Sequence, residues 1–135
     1  MEFKAKKIVD LQTEVAEVAN ELLNAAVSFH KLHLKVTGQG SFAQHKGLNE
    51  IYDSLPESGD DLVEQYQGAA EKIITIPDKV PKTLSTIKEG IAYANELKQM
   101  ITNLQSKLPY SEIINSLDET KATLNSLKYK LLFLS

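Results

Sequence analysis

Apolar residues recur every three or four positions through the first third of the chain, at Ile8, Leu11, Val15, Val18, Leu22, Ala25, Phe29, Leu32 and Val36. That spacing draws one stripe along an α-helix. Neither Gly nor Pro occurs before Gly38. The pattern therefore predicts a first helix over about residues 5–36, with Thr37 to Ser41 as its stop.

Ser41 is suited to cap a second helix. Its apolar positions are Leu48, Ile51, Tyr52, Leu55, Leu62 and Tyr66, interrupted by Pro56 and Gly59. An internal Pro removes a helical hydrogen bond and costs about 3 kcal/mol. Two readings stay open, one kinked helix over about residues 41–67 or two helices meeting near 56–59. Pro77 and Pro81 make Ile73 to Lys82 the predicted loop. The helical period returns at Val80, Leu84, Ile87, Ile91, Ala94, Leu97, Ile101, Leu104 and Leu108, and this third helix is expected to end at Pro109. Ser111 reads as the cap of a fourth, although its start could lie nearer Pro109. The fourth carries Ile113, Ile114, Leu117, Leu124, Leu127, Leu131 and Leu134. No segment alternates as a strand does. Four amphipathic helices in 135 residues predict an all-α fold, one four-helix bundle spanning the chain.

Composition narrows the chemistry. The chain has no Cys, which excludes disulfides, zinc–thiolate sites, iron–sulfur clusters and a cysteine nucleophile. The net charge of −3 argues against a dominant nucleic-acid surface, and Lys4, Lys6 and Lys7 form only a small basic cluster, so DNA binding is not expected. No apolar run reaches the length of roughly 18–20 residues that spans a bilayer, and the charged N-terminus does not resemble a signal peptide. A cytoplasmic domain is the expectation.

The candidate chemistry is confined to residues 30–64, where His30, His33, His45, Asp60, Asp61 and Glu64 fall. A di-iron centre within one bundle uses Glu-x-x-His pairs on two helices, and the chain contains none. Helical angles are more informative. On an unbroken second helix, Asn49, Asp60 and Glu64 fall at about 40°, 60° and 100° from His45, while the apolar positions centre near 280°. His45 and Asp60 are about 22 Å apart along that stripe, too far for one ion. Two antiparallel copies about a two-fold axis would bring one chain's His45 beside the other's Asp60 and Glu64. His33, near Phe29 on the first helix, could face His45 across the turn. Each residue also has a plain role. His33 fits a core histidine, His45 and His30 fit surface positions, and the acids after Gly59 fit the start of a helix.

Leu32-His-Leu-Lys-Val-Thr-Gly38, Ser41-Phe-Ala-Gln-His45, Tyr52 and Asp60-Asp-Leu-Val-Glu64 together resemble the signature of the Dps-like mini-ferritins, over about a third of the chain. The chain also resembles, more weakly, short ferritin-like proteins of tailed phages. The resemblance implies a ferritin-like bundle and a non-haem iron site, dinuclear in form, at a two-fold interface. His33 and His45 would come from one chain, and Asp60 and Glu64 from its partner. Glu64 and His33 would be the residues most directly engaged in oxidising iron(II) with peroxide or oxygen, inside a homo-oligomer that is a dimer at least and a cage at most. Asn49 stands where the family has Asp, and Leu34 where it has Trp.

Two other classes compete with this ferroxidase reading. One is a non-enzymatic bundle that binds a partner or a small ligand. The other is a coiled-coil partner, suggested by the even spacing from Val80 to Leu108.

Overall fold

Asp10 accepts a hydrogen bond from the backbone N–H of Thr13 and so opens α1, Leu11–His33. The computed structural model describes residues 10–134. Ile8, the lysine cluster at 4, 6 and 7, and the expected start of the first helix at 5 therefore lie outside the described residues. Val15, Leu22, Ala25 and Phe29 are completely buried on the predicted stripe, and so is Ala19 beside it. The helix stops at His33, three residues short of Val36, and the backbone turns through Gly38 and Gly40 at φ 90° and 78°. That left-handed conformation favours Gly. Gly40 takes the cap position of α2, so Ser41 is a helical residue and not the expected cap.

The second helix, α2, is one continuous element, Ser41–Ala70, with Pro56 inside it. The two-helix reading is thereby excluded. Leu48, Ile51, Leu55 and Leu62 are buried on both sides of the proline, and this packing holds the helix through the missing N–H. Gly59 also has a packing role. A Cβ there would lie 3.1 Å from Leu23 Cγ and 3.2 Å from the Ala19 carbonyl oxygen. The glycine lets α1 and α2 approach closely.

Residues 71–86 form an extended strap along α1. Two polar side chains of α1, and Lys35 just past its end, hold it by its carbonyls. Asn24 Nδ2 donates to Lys79 O at 2.8 Å, Ser28 Oγ to Lys82 O at 2.6 Å and Lys35 Nζ to Leu84 O at 2.9 Å. Ile74, Ile76 and Leu84 pack inward, whereas Val80 is exposed. Val80 and Leu84 were expected in the third helix, but α3 begins later, Ile87–Gln105. Thr86 accepts from the Glu89 N–H and Glu89 accepts from the Ser85 N–H, which fixes this start. The fourth helix, α4, is Ser111–Phe133, with Tyr110 rather than Ser111 at the cap position.

Helix directions follow from cross-contacts. Lys107 pairs with Glu14 at 2.8 Å, which sets the end of α3 beside the start of α1. Gln65 donates to Ser116, and Lys130 pairs with Glu50, so α4 runs against α2. α1 and α4 each pack on α2 and α3. The result is an up–down–down–up four-helix bundle with one long crossover, the strap. Tyr93 sits in the core against Phe29, and its hydroxyl donates to the Glu21 carboxylate. Burial and that carboxylate push the Tyr93 pKa well up. Among the described residues, no helix is long and apolar enough to cross a membrane.

Candidate functional site

The seven residues between α1 and α2 reverse the chain so that His33, ending one helix, meets His45, in the first turns of the next. Their Nε2 atoms are 2.8 Å apart and their ring centroids 3.6 Å apart. One Nε2 carries the proton and the other accepts it. His33 is buried, and its Nδ1 has no partner among the described residues. A buried N–H without an acceptor costs more than a buried lone pair without a donor. His33 is therefore best assigned as the donor through Nε2, with His45 protonated at Nδ1. Burial holds the His33 pKa below its ordinary value, and positive charge on His45 or His30 would lower it further.

Aromatic and amide groups brace this pair. His30 stacks on Tyr52, with ring centroids 4.1 Å apart and planes 10° apart. Tyr52 presents its ring edge-on to His33 at 5.2 Å. The Tyr52 hydroxyl donates to the Asn49 side-chain oxygen, and Asn49 Nδ2 donates to Asp53 at 3.2 Å. His30 is solvent-exposed on one side, as expected, but its ring is fixed by stacking. The link from Asn49 to Asp53 escaped the sequence reading. Its only trace is the four-residue spacing between two side chains that readily hydrogen-bond.

Asp60 and Glu64 lie elsewhere. Both are exposed on α2, four residues apart and therefore on one face of the helix. They are remote from the His pair, because fifteen residues of unbroken helix separate His45 from Asp60, about 22 Å. Thus the structure brings His33 and His45 together, keeps Asp60 and Glu64 together, and leaves the two pairs at opposite ends of α2. Among the described residues, no group of three or more His, Asp or Glu converges within one chain.

For a cation to be held here the shared proton would first have to leave the pair, freeing both Nε2 lone pairs. Two imidazole nitrogens bound to one metal at about 2.1 Å in adjacent positions stand about 3 Å apart. The observed 2.8 Å is close to that separation. Imidazole and carboxylate together suit iron(II). Two protein donors do not complete a shell, so a full site on these residues needs carboxylates from another copy.

Comparison with curated proteins finds no match. Residues 33–131, from His33 through most of α4, match a family of unknown function, DUF5856, and the chain belongs to that family.

Proposed function

We propose that the protein is a Dps-like mini-ferritin that binds iron(II) at a two-fold interface and oxidises it with peroxide or oxygen. His33 and His45 of one chain and Asp60 and Glu64 of a second form the site in this reading. The observation that carries it is the 2.8 Å approach of His33 and His45 at one end of α2, with Asp60 and Glu64 exposed at the other. An antiparallel pair of α2 helices supplies both halves of each site. The single long crossover supports the reading, because ferritin-like bundles are connected in that way.

Iron(II) is the substrate. Each ion gives one electron to the oxidant, and the anionic oxygens of Asp60 and Glu64 favour the iron(III) product over iron(II). The neutral imidazoles fix position, and Tyr52 keeps His33 oriented. Anaerobic iron(II) titration followed by peroxide tests the proposal. Wild type develops iron(III) absorbance with a saturating stoichiometry, while His33→Ala and Glu64→Ala lose the saturable phase. A folded oligomer with no saturable phase contradicts it.

One observation favours a second reading, a bundle that keeps the shape without the chemistry. Asn49 is neutral and is held by Tyr52 and Asp53, so this position offers no carboxylate. In that case His33 and His45 form a structural hydrogen bond, and His45→Ala changes stability but no metal affinity.

A further inference from the structure

The fold gathers the end of α1, the starts of α2 and α3 and the end of α4 at one end of the bundle. His33 meets His45 there, and Lys130 pairs with Glu50. A Cβ on Gly90 of α3 would lie 2.8 Å from Leu32 Cδ2 and 3.8 Å from Leu131 Cδ1. This end also carries most of the large apolar side chains that the described residues leave in solvent. Leu34, Phe42, Tyr129, Leu132, Phe133 and Leu134 lie here, against Val27, Ile73 and Val80 elsewhere. Leu34, Phe42 and Phe133 are 71%, 81% and 70% exposed, so they project from the surface. Single exposed apolar residues are ordinary, but a concentration of them at one end of a fold marks a contact surface.

Positive charge is gathered at the same end. Lys31, Lys35, Lys46, Lys88, Lys128 and Lys130 stand on it, against Glu50, Asp53 and Glu89. Glu50 is already paired with Lys130. Among the described residues, Lys31, Lys46, Lys88 and Lys128 form no ion pair. The whole chain carries −3, so the rest of it is acidic and the molecule is polarised along the bundle. Lysine side chains do not account for the exposed rings and leucines, nor these for the lysines. The two features are separate observations that coincide on one surface.

We propose that this end of the bundle docks on an anionic phospholipid bilayer. Leu34, Phe42 and Phe133 enter the boundary between headgroups and acyl chains, and the surrounding lysines meet the anionic headgroups. Tyr129, with an apolar ring and a polar tip, suits the headgroup level. The contact is peripheral, since no described helix is long and apolar enough to cross a membrane. Shape favours a fluid surface over a folded partner. The six apolar side chains line neither the cleft between α2 and α4 nor the one between α1 and the strap, so neither hollow uses them to seat a partner's anchor residues. A second copy would set lysines against lysines. A nucleic acid would leave the apolar side chains in water. The docking does not depend on the iron reading, because Asp60 and Glu64 lie at the other end of α2.

Flotation of the full chain with phosphatidylcholine vesicles tests this, with and without about 30% phosphatidylserine and at roughly 0.1 and 0.5 M salt. The anionic vesicles should carry the protein at low salt. Neutral vesicles or high salt should each weaken binding by about tenfold or more. Phe42→Ser and Phe133→Ser should each weaken it by about tenfold. Lys46→Glu should weaken it by about thirtyfold, whereas Lys98→Glu, the same change of net charge within α3, should alter it by less than about twofold. Glu64→Ala should float like wild type while losing saturable iron(II) oxidation, so the two readings fail separately. Equal losses in Lys46→Glu and Lys98→Glu would reduce the effect to net charge and overturn the proposal. Binding that survives both phenylalanine changes would overturn it too, as would a wild type that stays off anionic vesicles. Lipid-free assembly abolished by Phe42→Ser in light scattering would assign this end to a second copy instead. The wild-type comparison of lipids and salts decides the matter even if a variant fails to fold.

Discussion

The Nε2 of His33 stands 2.8 Å from the Nε2 of His45, so the last residue of α1 and the fifth of α2 share one proton across a seven-residue turn. The bond ties the ends of the two helices and leaves His33 buried as a neutral ring. A base whose pKa is lowered on folding binds fewer protons folded than unfolded. Its contribution to stability is full above the unfolded value near 6.5 and is lost as pH falls through the lower folded value. Stability measured by urea denaturation should therefore drop between pH 7.5 and 5, and His33→Gln should flatten that drop. An unchanged slope in His33→Gln would assign the acid sensitivity to other groups.

Gly59 and Gly68 occupy the same helix but should respond oppositely to alanine. Gly68 faces open space, so Gly68→Ala gains helix propensity and stabilises by about 0.5–1 kcal/mol. At Gly59 the new methyl meets Leu23 and the Ala19 carbonyl, and crowding of about 1–3 kcal/mol outweighs that gain. Thermal melts of the two variants should shift in opposite directions.

These glycines show where the sequence was readable and where it was not. The apolar stripes located all four helices, because a period of 3.6 needs only local information. Gly59 looked like a break because the α1 surface that packs against it is remote in sequence, and Pro56 because the buried residues on either side of it hold the helix through tertiary packing. Val80 and Leu84 kept a helical spacing by coincidence, and Leu84 is buried from an extended strap. Ser41 lost the cap position because Gly40 adopts a left-handed conformation that Ser adopts at a cost. At the site, the twelve-residue spacing of His33 and His45 was legible as two helix ends facing each other. The bracing by Asn49, Tyr52 and Asp53 was not, since it depends on side-chain rotamers.

Pro56 withholds one hydrogen bond from the middle of α2. Pro56→Ala should restore it and raise stability by about 1–2 kcal/mol. Equilibrium urea denaturation should show a higher midpoint with an unchanged m-value. A loss of stability would mean that the proline ring itself contributes essential packing.

The strap depends on Ser28, which is buried and donates to Lys82 O. Ser28→Ala should leave that carbonyl without its donor and cost about 1 kcal/mol. Amide exchange across residues 79–86 should accelerate, while protection in α2 and α4 should persist. Uniform acceleration throughout the chain would instead identify the strap as part of the global cooperative unit.

Chain mixing provides the most direct test of a site shared between two copies. His45→Ala and Glu64→Ala chains, each inactive in saturable iron(II) oxidation, are unfolded together, refolded and confirmed as mixed dimers by native mass spectrometry. In each mixed dimer one site regains imidazoles from one chain and acids from the other, so random mixing should restore roughly a quarter of wild-type activity. Mixed dimers with no recovered oxidation would contradict the shared site.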